Sequence, residues 1–180
     1  MRKLHNLYLT IIDDYVHKIP CSNNGKRIEY YHQSRFYRSP EVILGLPYDQ
    51  AIDMWSFGCI LFEMYSGQPL FYSRNEFDHI NQVVEILGMP PKDFLDFGAR
   101  TSKYFDRTGQ GYYFPKYKYG SRAYRPPNSR NIFPRSSHNN SVSDEFTDFK
   151  DLVLKMVQYD SNSRLKPQEA LNHEFFKTIR

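Results

Sequence analysis

Residues 49–65, DQAIDMWSFGCILFEMY, constrain the fold more than any other stretch. Ala51, Ile52, Met54, Trp55, Phe57, Ile60, Leu61, Phe62 and Met64 cover almost every face of a helix. A helix that is apolar all round lies in the middle of a domain, with other elements packed about it. This one is too short, and too polar at both ends, to span a bilayer. Gly67 ends it, and Pro69 follows.

The surrounding segments read as the elements that cover it. Residues 75–87 predict an amphipathic helix, with Phe77, Ile80, Val83, Val84 and Leu87 on one stripe and Gly88 then Pro90-Pro91 as terminators. Residues 144–159 predict a third helix, with Phe146, Phe149, Leu152, Val153, Met156 and Val157 at helical spacing. Pro167 opens a fourth that runs to Lys177. Residues 7–12 read as a short strand or buried run, and 20–25 as a turn-rich loop. Residues 26–46 lack a clean period and read as a structured loop. Residues 92–140 read as long and irregular, with β-like pieces over 111–118, a turn near Tyr119-Gly120-Ser121 and a loose Asn139-Asn140-Ser141. The expected fold is therefore mainly α: a helical bundle with one long irregular insertion.

A chain of 180 residues suits one ordinary domain. Its net charge of +4 names no partner by itself. Cys21 and Cys59 lack metal-ligand spacing, which argues for a reducing compartment, cytoplasm or nucleus. His5 and Asn6 interrupt the apolar run near the N-terminus, and no small-residue cleavage site follows. Neither a signal peptide nor a membrane association is expected.

Three short blocks carry the functional signal. YHQSRFYRSPE spans 31–41, DMWSFG spans 53–58, and YDSNSR spans 159–164. In this order they resemble the C-terminal lobe of a eukaryotic protein kinase. The wording QSRFYRSPE followed by PYDQAIDMWSFGCIL is similar to one branch of the CMGC group, the dual-specificity tyrosine-regulated (DYRK) kinases, and within it to the minibrain-like class. The resemblance implies a divergent segment at 1–24 and a partial kinase domain at 25–177. Within the latter it implies an activation segment at 25–41, a helical C-lobe at 42–177 and a basic insertion at about 92–140.

The resemblance also assigns residues. Ser39-Pro40-Glu41 matches the element that closes an activation segment, and its Glu pairs with an Arg that corresponds to Arg164. A guanidinium fork can bind that carboxylate in a bidentate way and so fix a loop onto a helix bundle. Asp53, Trp55 and Gly58 match the central kinase helix, where the Asp caps backbone amides of the catalytic loop. Tyr31 stands where the family carries a tyrosine phosphorylated by the kinase on itself, and Arg35 and Arg38 stand where two arginines hold that phosphate. Glu29 and Tyr30 depart from the family's Tyr-x-Tyr. The parent family uses ATP and Mg²⁺. Asp13, after Ile11-Ile12, is a weak candidate for the metal-binding Asp, since no Phe-Gly follows it.

No glycine-rich loop, V-A-I-K lysine, H-R-D-L-x-x-x-N loop or D-F-G occurs in the sequence. This chain is thus expected to bind no cofactor of its own and to be inactive alone. It reads as the substrate-shaping part of a dual-specificity kinase, with a protein or peptide substrate, a partner protein or a separate N-lobe as its partner. The alternative is a stand-alone, non-catalytic pseudokinase module that binds a protein. Arg100, Lys103, Arg107, Lys116, Lys118, Arg122, Arg125, Arg130 and Arg135 make the insertion basic, with tyrosines interleaved. That pattern can bind nucleic acid, but a folded insertion with a solvated basic face is the preferred reading. The histidines show no ligand spacing.

Overall fold

A computed structural model describes residues 34–118, 123, 125–133 and 144–177. The expected strand at 7–12, the loop at 20–25, the turn near Tyr119 and the segment at 139–141 lie outside these residues.

The core helix is α2, Ala51–Ser66, which follows a short helix α1, Pro40–Leu44. Trp55 and Cys59 are wholly buried, and Ile52, Met54, Phe57, Leu61 and Phe62 nearly so. The burial stops one turn short of the C-terminus. Met64 is 48 % exposed and Tyr65 57 %, so the all-round apolar pattern overstates the enclosed length. Gly67 closes the helix at φ +73°, donating its N–H to Glu63.

Among the described residues, α3 (Glu76–Leu87), α6 (Asp144–Met156), α7 (Pro167–Leu171) and α8 (Glu174–Lys177) surround α2 or support its neighbours. Helix α3, Glu76–Leu87, begins at Asn75, whose side chain accepts the Asp78 N–H at 2.9 Å. The Asp78 carboxylate in turn accepts the Arg74 N–H at 2.8 Å. Helix α6, Asp144–Met156, packs along α2. Gly58 permits that seam: a Cβ placed there would lie 2.8 Å from the Met156 Cβ and 3.1 Å from Val157. The fourth expected helix is two pieces, α7 at Pro167–Leu171 and α8 at Glu174–Lys177. Asn172 and His173 fall between them, and the Lys166 N–H donates to the Glu169 carboxylate at 2.9 Å.

Two regions departed from expectation in kind. Within 26–46, which reads as loop, the structure forms a 3₁₀ turn at Arg35–Tyr37 and a helix α1 at Pro40–Leu44. Pro40 supplies the first helical position and Gly45, at φ +70°, the left-handed end. Five residues are too few for periodicity to show. The insertion is also more regular than its composition suggests. It forms α4 at Lys92–Phe97, α5 at Thr101–Tyr104 and an antiparallel pair, β1 Phe105–Arg107 with β2 Tyr113–Pro115. Asp106 faces Phe114 across the pair, and Thr108–Tyr112 makes the turn.

The buried side chains form two clusters. One surrounds Trp55, which stacks on Phe71 at 5.6 Å and 6°. The other joins Ile43 and Leu44 of α1, Ile80 and Val84 of α3, and Leu95, Tyr104 and Phe105 of the insertion. The insertion is therefore part of the core that supports α1. None of the helices among the described residues is long and apolar enough to cross a membrane.

Candidate functional site: the activation-segment face

Glu41 and Arg164 lie 123 positions apart in the chain and form a bidentate pair. Arg164 Nη1 donates to Glu41 Oε1 at 2.7 Å and Nη2 to Oε2 at 3.1 Å. The remaining guanidinium donors reach main-chain carbonyls. Nη1 also donates to Ala51 at 2.7 Å, Nε to Gln158 at 3.2 Å and Nη2 to Gln158 at 2.8 Å. The cation sits 5.4 Å from the centroid of the Trp55 ring. Both side chains are almost wholly buried, and every strong donor is used. This unit ties α1 to the start of α2 and to the segment after α6.

Ser39 and Pro40 are buried beside Glu41. Ser56 Oγ donates to the Tyr37 carbonyl at 2.8 Å, and Tyr37 OH donates to Glu63 Oε2 at 2.7 Å. The hydrogen bond to Glu63, aided by burial, pushes the Tyr37 hydroxyl up to about 12. The turn before α1 is thus stitched to α2 at two further points.

Asp53 lies in the first turn of α2, half-buried. Its Oδ2 is enclosed without a hydrogen-bond partner among the described residues, and burial pushes its carboxyl above the usual range. A carboxylate in that state has spare acceptor capacity.

Arg35 and Arg38 are on the turn that leads into α1, while Tyr31 lies outside the described residues. Arg35 Nη2 donates to the Ser73 carbonyl at 3.0 Å, and its guanidinium lies 5.2 Å from the Phe36 ring. Its Nε is buried with no partner among the described residues. Arg38 is 7 % exposed and bonds Glu76 Oε1 through Nη1 at 3.1 Å. Asp13, too, lies outside the described residues, and no group of three His, Cys, Asp or Glu among those described could hold a metal ion.

Two residues at this site are not evident from sequence. Glu76, at the start of α3, takes Arg38, Lys103 and the Tyr104 hydroxyl onto one carboxylate. His79 is wholly buried beneath, its Nε2 3.1 Å from the Arg38 carbonyl and its Nδ1 3.4 Å from Ser73 Oγ. Burial pushes the His79 imidazole down to about 4; the Arg38 carbonyl and Asp78 oppose this, and the charges of Arg38 and Arg35 add to it. The position of Glu76 in the first turn of a helix is common for a carboxylate, so no sequence signal sets it apart.

Comparison with known proteins agrees with this geometry. The family model described as the protein kinase domain matches residues 17–176. Human dual specificity tyrosine-phosphorylation-regulated kinase 4 is 38 % identical over 156 residues, which cover 86 % of this chain and 28 % of that protein. Dual specificity tyrosine-phosphorylation-regulated kinase 2 of Drosophila melanogaster is 40 % identical over 152 residues, 84 % of this chain and 20 % of that protein. Serine/threonine-protein kinase ppk5 of Schizosaccharomyces pombe is 38 % identical over 155 residues, 86 % of this chain and 17 % of that protein. The chain spans less than a third of the length of these curated relatives. With a kinase-domain match over most of its length and relatives of this kind, the chain belongs to the protein kinase family, in its DYRK branch.

Proposed function

We propose that these residues form the substrate-side lobe of a DYRK-like dual-specificity kinase. The parent reaction is ATP-dependent phosphorylation of Ser, Thr and, during maturation, Tyr side chains of proteins. The observation that carries this reading is the Glu41–Arg164 unit, which pins the activation-segment turn onto the helical core. A peptide site needs such a rigid floor, because catalysis by positioning fails when the substrate is misplaced by an ångström. On this reading Arg35 and Arg38 take the phosphate of Tyr31, and Asp53 Oδ2 receives amides of a catalytic loop.

Phosphoryl transfer needs a lysine on the nucleotide phosphates, Mg²⁺ on acidic and amide ligands, and a base near the hydroxyl. The described residues do not fit that set. Asp53 is a lone carboxylate within the first turn of α2, and no convergent acidic cluster accompanies it. No catalytic step is therefore assigned to the described residues; it is the motifs missing from the sequence that support reading the chain alone as inactive. Residues lost from a catalytic set cost orders of magnitude in rate. The second reading, a non-catalytic protein-binding module, draws on the exposed Tyr112, Phe114 and Tyr117 of the hairpin.

Calorimetric titration with MgATP and a radiolabel-transfer assay test the proposal together. The expected result is neither saturable MgATP binding nor label on Tyr31 in the isolated chain, with transfer appearing when a DYRK N-lobe and catalytic loop are joined to it. Micromolar MgATP binding with autophosphorylation of the chain alone would refute the inactivity. Failure of the joined protein to phosphorylate any peptide would favour the binding module.

A further inference from the structure

The hairpin of the insertion turns one face to the core and one to solvent, and the solvent face is aromatic. Side chains alternate between the two faces along each strand. On the inner face Phe105 and Pro115 are buried, and Tyr113 donates its hydroxyl to Asp96 Oδ1 at 2.7 Å. On the outer face Asp106 stands opposite Phe114, and Tyr112 precedes them at the turn. Tyr112 is 70 % exposed and Phe114 47 %, and neither ring meets another among the described residues. The solvated face of an antiparallel pair is ordinarily polar, so this face calls for a cover.

Beside Phe114 lies a surface cavity of about 460 Å³, lined by Asp106, Phe114, Pro115, Lys116 and Tyr117. Its two charges oppose each other. Lys116 Nζ is 3.1 Å from Asp106 Oδ1 and also donates to the Ser102 carbonyl at 2.8 Å. Asp106 Oδ2 has no protein partner among the described residues, so the cavity keeps an open acceptor. The neighbouring cations are not part of the lining. Lys118 has its ammonium 5.7 Å from the Phe77 ring of α3. Arg107, on the inner face, lies 4.0 Å from Asp96 and 5.4 Å from the Tyr113 ring, and Lys103 bonds Glu76 at 2.9 Å.

A lining of this kind selects a flat apolar body with a hydrogen-bond donor at its tip. The charges within it are already matched to each other, so it selects by shape and by the open acceptor. A tyrosine has both properties, a ring and a phenolic donor. The chain itself presents one two residues from Phe114. The Tyr112 hydroxyl bonds nothing among the described residues, and Tyr112 does not line its own cavity. Its main chain is fixed: the N–H donates to Thr108 Oγ1 at 3.0 Å, and the carbonyl accepts the Thr108 N–H at 2.8 Å. A ring projecting from an ordered turn loses little backbone entropy when it is covered. Knob and cavity thus lie side by side on one face. That is the arrangement an isologous contact needs, since each copy gives what the other receives.

We propose that the outer face of the hairpin pairs with the same face of a second copy of this chain about a two-fold axis. Tyr112 of each copy enters the cavity beside Phe114 and Tyr117 of the other and donates its hydroxyl to Asp106 Oδ2. Rings of about 150–250 Å² each give a contact at the small end of specific interfaces, so the dimer is weak and forms at micromolar concentrations or above. The inference goes beyond the kinase reading and does not rest on it, because the face is complete among the residues of the hairpin.

Sedimentation velocity of the full chain over rising concentration tests it. The mass is expected to climb from monomer to dimer and to stop there. Tyr112→Ala should weaken the dimer about tenfold or more. Tyr112→Phe, which keeps the ring and loses the donor, should weaken it several-fold, and Asp106→Ala should match it. Tyr72→Ala should leave it intact, since that exposed tyrosine lies beside Phe36 before α1, outside the hairpin. Should a variant lose its helical circular dichroism, tyrosine nitration of the unaltered chain is read by peptide mass instead. Nitration of Tyr112 is then expected to slow as protein concentration rises, while that of Tyr72 stays constant. A chain that is monomeric throughout overturns the proposal, and so does a dimer indifferent to Tyr112→Ala. Growth past the dimer overturns the two-fold contact in favour of a head-to-tail one. Binding of a tyrosine-bearing peptide by a chain that stays monomeric overturns it in favour of a foreign partner.

Discussion

Arg164 and Glu76 each gather several charged or polar groups, and the two centres are built in opposite ways. Around Arg164 the guanidinium and the Glu41 carboxylate match one to one, carbonyls take the remaining donors, and water is excluded. Around Glu76 three cations share one carboxylate, and two of the cations reach solvent. A closed, balanced pair can only hold the fold together. An open cluster is screened by the water that reaches it, so each of its exposed pairs contributes less to stability. The difference separates a buried structural tie from a solvent-screened cluster without reference to sequence position.

The largest expected effect lies at the closed centre. Arg164→Ala strands the buried Glu41 carboxylate and should destabilise the chain by about 3–5 kcal/mol, read as a lower denaturant midpoint. A double-mutant cycle with Glu41→Ala should show strong coupling. Independent effects at the two positions would break the contrast, since Arg164 would then be no more than a packed side chain.

Next in size is an acid effect beneath the open centre. His79 is held neutral by burial, with Arg38, Arg35, Asp78 and Ser73 around it, and its folded pKa is about 4 against 6.5 ordinarily. Between these values the unfolded chain binds a proton that the folded chain refuses. Stability is therefore full above about pH 6.5 and falls as pH drops towards 4, on the order of 3 kcal/mol in all. His79→Gln should flatten that limb of a pH–stability curve relative to the wild type. An unchanged limb would assign acid sensitivity to the carboxylates instead.

A neutral lesion in the core serves as a reference for both. Gly58→Ala forces a Cβ to 2.8 Å from the Met156 Cβ, across the α2–α6 seam. A loss of about 1–3 kcal/mol in chemical denaturation is expected, without pH dependence. A stabilised variant would show that the seam can open.

The smallest effect should come from Lys103→Gln. Its pair with Glu76 is 43 % exposed on the lysine side and screened, so the cost in denaturant is expected below about 1 kcal/mol. A loss as large as that of Arg164→Ala would erase the contrast and make the Glu76 cluster structural too.

The main helices were legible because each is long enough for periodicity to speak. Asn75, Gly67 and Gly88 also mark their ends chemically. Helix α1 was not legible, since its Pro40 and Gly45 bracket too few residues for a period. The insertion misled through composition. Its tyrosines and prolines suggested irregular chain, yet Tyr104 and Phe105 are core residues packed against Ile43, Leu44 and Ile80. The described hairpin turn, Thr108–Tyr112, joins β2 to a strand upstream of it, with Phe105 opposite Pro115.

The sequence alone determined the central helix, the family and the partners Glu41 and Arg164, because these rest on local pattern and on motifs read in order. Tertiary structure alone decided that Glu76, Arg100 and Lys103 meet Arg38. Those residues come from α3, from the chain leading into α5, from α5 itself and from the end of the 3₁₀ turn before α1, and no local spacing relates them. Such a cluster is a set of neighbours in space. It exists only once packing has chosen the neighbours.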